Sequence, residues 1–134
     1  MSWNDDIIDE FRANEGRVGG VFEGKPLLLL HHVGARTGEK RVSPLMYQPV
    51  DDGYAVFASR GGSHQNPGWY HNLKSNPSTT VEVGTERFPV RAREIHGEEY
   101  EQIWSKQKED HPQFAAYERK TSRDRIPVFV LEKV

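Results

Sequence analysis

The chain has 134 residues, of which 35% are hydrophobic and 28% are charged, and its formal net charge is −2 at pH 7. This length is typical of one domain spanning residues 1–134, and three Trp, five Tyr and six Phe argue against disorder. The small negative charge excludes the chain-wide basic surface of most nucleic-acid binders, and the absence of cysteine excludes disulfides and thiolate catalysis. No apolar run reaches the roughly 20 residues of a membrane span, and the acidic N-terminus lacks a signal-peptide core, so we expect a soluble cytoplasmic protein.

The N-terminal segment, residues 1–14, has the periodicity of an amphipathic helix. The helical pattern runs over residues 4–14, and Asn4 is suited to be its N-cap. Four apolar side chains fall on one face at helical spacing: Trp3, Ile7, Ile8 and Phe11. We expect the helix to dock on the core, and the alternative is that it covers the edge of a cofactor.

Two strand patterns follow. Residues 17–22 form a weak one, interrupted by glycine, and residues 25–33 form a strong one. The continuous run Leu27–Leu30 indicates burial on both faces of the second strand. His31 and His32 should point to opposite faces, so they cannot bind one metal ion together.

The segment over residues 34–41, GARTGEKR, predicts a hairpin connection with a local excess of positive charge. Arg36, Lys40 and Arg41 outnumber Glu39, and glycine turns free backbone N–H groups nearby. Such a loop suits a phosphate or carboxylate tail, although a solvated hairpin tip is the alternative. In the following strand, over residues 42–50, two prolines predict an edge or bulged position.

The stretch from Tyr54 to Pro77 combines a strand, a glycine loop and a helix. At Gly61 and Gly62 the backbone can adopt positive φ, and Asn66-Pro67 is suited to be the N-cap and first residue of the helix. Such a loop presents free N–H groups and the positive end of a helix dipole to a flat or anionic ligand. The alternative is that the glycines serve only the turn.

The remaining elements complete a β-rich pattern that lacks βαβ units. We expect a turn at Asp51–Gly53, strands at 54–59, 78–83, 87–95 and 126–134, a helix at 97–110 and one or two helical turns at 112–120. Six or seven strands with short turns and three helices predict a closed or partly closed antiparallel barrel with the helices packed outside, an α+β fold.

Familiar catalytic motifs are missing from the sequence. There is no G-x-S-x-G elbow, Walker A motif or dinucleotide-binding glycine fingerprint, and the six histidines lack metal-ligand spacing. We therefore expect no metal site, and we expect the chemistry to belong to a bound cofactor.

Three stretches together resemble the deazaflavin-dependent nitroreductase family, which uses coenzyme F420. They read LLLLHHVGARTGEKRVSPLMY, ASRGGSHQNPGWYHNLKSNP and KTSRDRIPVFVLE. The resemblance covers roughly Val21 to the C-terminus and implies the split β-barrel fold that is also seen in FMN-binding oxidoreductases. It implies an F420-dependent reductase that transfers a hydride to a small hydrophobic, unsaturated or nitro-containing substrate.

The resemblance also implies a set of cofactor-binding residues. The first loop matches the family's binding site for the coenzyme's phosphate and tail, and the second matches positions along the deazaflavin ring and its cleft. The implied residues are Ala35, Arg36, Lys40, Arg41, Pro44, Ala58, Ser59, Arg60, Gly61, Gly62, Asn66, Pro67, Trp69 and Tyr70.

The candidate catalytic residues are less well matched. Ser59 is the candidate hydroxyl donor, and Tyr117 or His111 is the candidate proton source. His111, Phe114 and Met46 stand where the nitroreductase member has tyrosines, and a phenylalanine cannot donate a proton. Two alternatives stay open: an FMN-binding split-barrel oxidoreductase, or a non-catalytic protein that carries the deazaflavin. Split barrels often dimerise, so a homodimer is a further expectation.

Overall fold

A closed antiparallel β-barrel forms the centre of the molecule. The structure, a computed structural model, describes residues 3–134 apart from the side chains of Trp3 and Val21. Around the barrel the strands follow the order β1-β2-β3-β6-β5-β4. They are β1 (Leu27–Val33), β2 (Lys40–Val50), β3 (Gly53–Phe57), β4 (Ser78–Val83), β5 (Glu86–Glu94) and β6 (Val128–Lys133). The predicted antiparallel barrel is confirmed.

Four α-helices surround the barrel within the described part of the chain, one more than expected. They are α1 (Trp3–Ala13), α2 (Gly68–Ser75), α3 (Gly97–Asp110) and α4 (Gln113–Lys120). The additional helix is α4, whose segment the sequence predicts as only one or two helical turns.

The core has three parts because strand side chains alternate between the barrel interior and its outside. Leu28 and Leu30 of β1 point into the interior, while Leu27 and Leu29 pack outside it under α1. This explains why the whole Leu27–Leu30 run is buried, as predicted. On another side, α3 and α4 cover the outer faces of β3 and β6. One end of the interior holds Trp69 and Leu73 of α2.

The N-terminal helix docks on the barrel, as expected. Ile7, Ile8 and Phe11 are buried, and the described face of α1 packs against the outside of β1. The helix is also held by Arg12, which donates two hydrogen bonds to Glu82 of β4. Arg12 lowers the pKa of Glu82 to about 2. The predicted contact of the Trp3 side chain lies outside the described residues.

The two prolines of β2 lie where the strand has a neighbour on one side only. Residues 40–46 pair with β1, whereas residues 47–50 pair with β3. Pro44 is therefore opposite Leu29 and Pro49 is opposite Tyr54, with no second strand paired at either position. Because proline cannot donate a ladder hydrogen bond, each lies at a local edge, as predicted.

Two local predictions are wrong. Residues 17–22 do not form a strand; instead, Gly20–Phe22 forms a 3-10 turn, because Gly20 has φ +62, which an extended chain cannot accommodate. Asn4 lies inside α1, which begins one residue earlier, so it is not the N-cap. Among residues 3–134, no helix has the length and apolarity that crossing a membrane requires.

Candidate functional site

The turn between β1 and β2 presents backbone donors next to arginine side chains. It is closed by hydrogen bonds from Gly34 N–H to Glu39 O (2.8 Å) and from Gly38 N–H to Gly34 O (2.9 Å). Gly38 has φ +72, which favours glycine. Within the described part of the chain, the amides of Arg36 and Thr37 have no acceptor. Unpaired amides beside guanidinium groups make this turn suitable for an anion.

A cleft of about 710 Å³ lies between this turn, the start of β2 and the start of α2. Four of the predicted cofactor-binding residues line it: Ala35, Arg36, Arg41 and Trp69. Arg36 is exposed, and Arg41 pairs with Glu39 at 3.2 Å. Lys40 is exposed at the start of β2 and is not among the residues that line the cleft.

A buried chain of hydrogen bonds supports the cleft, and the sequence analysis did not identify it. The Oδ1 atom of Asn72 accepts from Ala35 N–H (2.8 Å), which leaves its Nδ2 group to donate to His32 Nδ1 (2.9 Å). The other ring nitrogen of His32 must then carry the proton and donate to Ser43 Oγ (2.9 Å). Burial, followed by the nearby Arg41 and His31, lowers the pKa of His32 to about 4, which agrees with a neutral ring.

The turn after β3 contains the second predicted group, Ala58 to Gly62. Arg60, Gly61 and Gly62 have φ values of 46°, 60° and 83°. Arg60 is one of only two non-glycine residues with positive φ in residues 3–134, and such strain is concentrated at functional sites. The amides of Ser59, Arg60 and Gly61 lack acceptors within the described chain, since the turn is closed from Gly62 N–H to Ser59 O and from Ser63 N–H to Arg60 O.

Arg123, which precedes β6, binds this turn and was not predicted. Its guanidinium donates to Ala58 O and Ser59 O, each at 2.8 Å, and to Asn66 Oδ1. Asn66 is therefore not the N-cap of α2. The N-cap position is Pro67, without a side-chain cap, and the helix begins at Gly68. The reason is that the Asn66 side chain faces a charged donor, which gives a stronger hydrogen bond than a helix amide does.

Two of the candidate catalytic residues, Ser59 and Tyr117, lie at the same turn. Gly62 packs against the backbone of Tyr117 in α4, because a Cβ added at Gly62 would lie 3.0 Å from Tyr117 Cα. The Tyr117 ring contacts Phe114, and the Phe114 ring in turn lies near His111. Burial, with a contribution from Lys25, lowers the pKa of His111. A lowered pKa disfavours the protonated form of the His111 ring, which is the form that could donate a proton.

The segment that opens α2 connects the two predicted sets of cofactor-binding residues, those of the 34–41 turn and those of the Ala58–Gly62 turn. Asn66 is bound with the Ala58 turn by Arg123, and Gly68 and Trp69, two and three residues later, line the arginine cleft. Pro44 lies on the unpaired edge of β2, one residue from cleft-lining Ser43. The segment from Asn66 to Trp69 therefore connects the glycine turn, through Arg123, to the lining of the anion cleft along the chain.

Sequence signals for the missed residues are weak but present. Asn72 is a polar residue on the buried side of α2, between Trp69 and Leu73 in helical spacing. Arg123 lies inside the third stretch that carries the family resemblance. His64 accepts a hydrogen bond from Ser122 N–H, and no group of residues within 3–134 could hold a metal ion.

The fold and the site together define a split-barrel protein that binds a flat cofactor with an anionic tail. The chain belongs to the F420H(2)-dependent quinone reductase family, whose model matches residues 4–133.

Individual relatives and solved structures are similar to most of the chain. The F420H(2)-dependent quinone reductase Rv1261c of Mycobacterium tuberculosis is 40% identical over 127 residues, which cover 92% of this chain and 85% of the relative. The solved F420-H2 dependent reductase FDR-A is 42% identical with a TM-score of 0.72, covering 80% of this chain and 94% of that one. A solved domain-swapped dimer is 39% identical with a TM-score of 0.74, covering 96% and 93%.

Membership of the family confirms the predicted class of enzyme and its cofactor. The protein is an oxidoreductase that uses coenzyme F420. The residues present fit this cofactor: two arginines and unpaired amides suit an anionic tail, and the free amides of the Ala58 turn suit the polar edge of a ring. The roles of individual site residues stay predictions.

Proposed function

We propose that the protein reduces quinones, or small hydrophobic acceptors of similar electrophilicity such as nitro compounds, with coenzyme F420 held in the arginine cleft. The observation that supports this most directly is the short segment from Asn66 to Trp69, which is tied to the Ala58–Gly62 turn by Arg123 and contributes Gly68 and Trp69 to the cleft lining. The relatives that match most of the chain carry the name quinone reductase, and this favours quinones among the substrates considered.

The chain's own residues divide into two tasks. Arg36, Arg41 and the amides of the first turn bind the anionic tail, as charge-assisted donors do. The amides of Ser59, Arg60 and Gly61 orient the ring. When bound, the reduced coenzyme supplies a hydride.

The acceptor needs a proton as it becomes negatively charged. The Ser59 hydroxyl has no partner among the described side chains, so it is free to donate a hydrogen bond to the acceptor. Tyr117, whose backbone packs against Gly62, supplies the proton in this proposal. His111, at the C-terminal end of α3, borders Phe114 of α4 and is the alternative proton source in this proposal.

The first test is a fluorescence titration with oxidised F420 beside FMN, at low and high salt. We expect tight, salt-sensitive F420 binding that weakens about 10- to 100-fold in Arg36→Ala and in Arg41→Ala, as for loss of a charge-assisted hydrogen bond. Arg87→Ala is the matched control, since Arg87 is exposed on β5 and does not line the cleft. Binding of FMN alone would overturn the assignment of the tail site.

A turnover assay then distinguishes an enzyme from a non-catalytic protein that carries the coenzyme. Reduced F420 is mixed with the protein and either a soluble quinone or a nitroaromatic compound, and its oxidation is followed by absorbance. We expect faster oxidation with the quinone. Binding without turnover on any acceptor would instead support the carrier alternative, for which the loss of tyrosines at Met46 and Phe114 is the motivating observation.

We also propose a homodimer. The supporting observation is the solved relative that is a domain-swapped dimer and aligns with 96% of this chain. Light scattering coupled to size exclusion would measure the mass against the 15.4 kDa of one chain. The cytoplasmic location expected from the sequence stays a prediction.

A further inference from the structure

The segment between α4 and β6 binds the Ala58–Asn66 loop through side chains that are more than 50 positions away in sequence. Thr121 Oγ1 donates to Ser63 O at 2.8 Å, and Ser122 N–H donates to His64 Nδ1 at 3.0 Å. Arg123 Nε donates to Thr121 Oγ1 at 2.9 Å, which fixes the plane of the guanidinium. Every nitrogen of the Arg123 guanidinium therefore has an acceptor.

The two backbone contacts of Arg123 determine which way the turn faces. Its terminal nitrogens hold the carbonyl oxygens of Ala58 and Ser59, two consecutive peptide groups. Both peptide bonds are trans, and in a trans peptide the N–H lies opposite the C=O. The N–H groups of Ser59 and Arg60 must then point away from Arg123, and neither has an acceptor in the described chain.

We propose that Arg123 is a positioning residue, which orients the Ser59 and Arg60 amides so that both donate to the polar edge of the deazaflavin ring. This inference rests on the proposed function. A planar guanidinium is suited to the task because it bridges two carbonyls and Asn66 Oδ1 at once, whereas an ammonium acts from a single point. The strained φ of Arg60, 46°, persists because the turn is held from this side.

Whether the Ala58–Gly62 turn is formed can be measured in the absence of the coenzyme. The amides of Gly62 and Ser63 donate within the turn, so their hydrogen exchange, measured by NMR, reports whether it is formed. We expect exchange at these two amides to be at least about tenfold faster in Arg123→Gln, and intermediate in Arg123→Lys. Exchange in β1 should not change. Arg119→Gln is the matched control, because it removes the same charge from an exposed position on α4.

Coenzyme binding is the second measurement. Oxidised F420 should bind at least about tenfold more weakly to Arg123→Gln, whereas Arg119→Gln should bind it normally. Arg36→Ala provides a contrast: it should weaken binding while leaving the exchange of Gly62 and Ser63 unchanged, since it removes a tail contact and not the support of the turn.

Unchanged exchange at Gly62 and Ser63 in Arg123→Gln would overturn the inference, and so would faster exchange with unchanged F420 affinity. If Arg123→Gln does not fold, Arg123→Lys decides the question: wild-type exchange and affinity in that variant would show that no planar bridge is needed. A failure of the unsubstituted chain to bind F420 would contradict the proposed function itself, and it would be seen before any variant is made.

Discussion

His32 illustrates how a single residue links the core to the candidate site. Its neutral ring accepts from Asn72 and donates to Ser43, and Asn72 in turn holds the Ala35 amide at the mouth of the anion turn. Each hydrogen bond in the chain has only one direction that satisfies all four groups. Protonation of His32 would add a second donor facing Asn72 Nδ2, so the chain requires the neutral ring.

This requirement predicts a pH dependence of stability. The pKa of His32 is lowered from 6.5 to about 4 on folding. Between these values the unfolded chain binds a proton that the folded chain does not, so the free energy of unfolding should fall as the pH drops from about 6.5 to about 4. After allowance for solvent screening, the loss should be on the order of 2 kcal/mol. Urea unfolding at several pH values would measure it.

The control for this prediction is His32→Gln, which cannot titrate. Its unfolding free energy should depend less steeply on pH over the same interval, although it should be lower at pH 7. Because His111 also has a lowered pKa, the comparison of the two slopes isolates His32. Parallel slopes in the two proteins would count against a depressed His32 pKa.

Ser59 is the residue on which the chemical proposal depends most. Replacement by Ala should slow hydride transfer to a quinone by about tenfold or more, with F420 affinity retained, because only the hydroxyl is lost. Stopped-flow oxidation of the pre-reduced, bound coenzyme would give the rate. Tyr117→Phe tests the proton source in the same assay, and an unchanged rate in Ser59→Ala would remove Ser59 from the mechanism.

At the scale of elements, the contact between α4 and the glycine turn is the feature that local sequence patterns did not reveal. Gly61 and Gly62 were both predicted to adopt positive φ, and both do. Only Gly62 touches another element, since its missing Cβ leaves room for Tyr117. The periodicity of residues 112–120 is too short to predict the packing, because it depends on where the barrel places α4.

This contact predicts different effects for two neighbouring substitutions. Gly61→Ala should cost about 1–2 kcal/mol, since it strains the backbone but its Cβ would meet nothing within 4 Å. Gly62→Ala should cost more, roughly 3 kcal/mol, and should weaken F420 binding, because its Cβ would displace the Tyr117 backbone. Thermal unfolding and the F420 titration check both variants. Equal effects would mean that the packing against α4 is unimportant.

At the scale of the whole molecule, two pairings, β3–β6 and β1–β4, join the N-terminal strands β1–β3 to the C-terminal strands and close the barrel. In the β3–β6 pairing, Gly53 is opposite Glu132 and Phe57 is opposite Val128. At Gly53 the two strands approach so closely that a Cβ would lie 1.9 Å from Leu131 O. Gly53 therefore serves two purposes: it ends the predicted Asp-Gly turn, and it permits closure.

Gly53→Ala should destabilise the whole fold by about 3 kcal/mol or more, because the clash is with backbone that cannot move without opening the β3–β6 pairing. Urea unfolding followed by tryptophan fluorescence would measure this. The control is Gly68→Ala in the first turn of α2, where a Cβ meets nothing within 4 Å and alanine favours the helix. Similar stabilities for the two variants would contradict the role of Gly53.

Much of the fold follows from local patterns in the sequence. The alternation of β4, the run Leu27–Leu30 and the helical spacing of α3 depend on residues a few positions apart, so they predict the elements nearly to their observed ends. The anion turn was also predictable, because Arg36 and Arg41 lie in one short segment with two glycines. The exceptions are residues 17–22, where glycine conformation outweighs a weak strand pattern, and Asn66, whose side chain has a distant partner.

The sequence by itself therefore determined the kind of barrel, the position of its charged turn and, through three matched stretches, the family. Tertiary structure alone decided how the site is assembled. The contact of Arg123 with Ala58 spans 65 positions and that of Asn72 with His32 spans 40, and no pattern within a short window can report such pairs. They form because barrel closure brings the start of β6 beside the end of β3, and because α2 covers the end of the barrel where β1 leads into its turn.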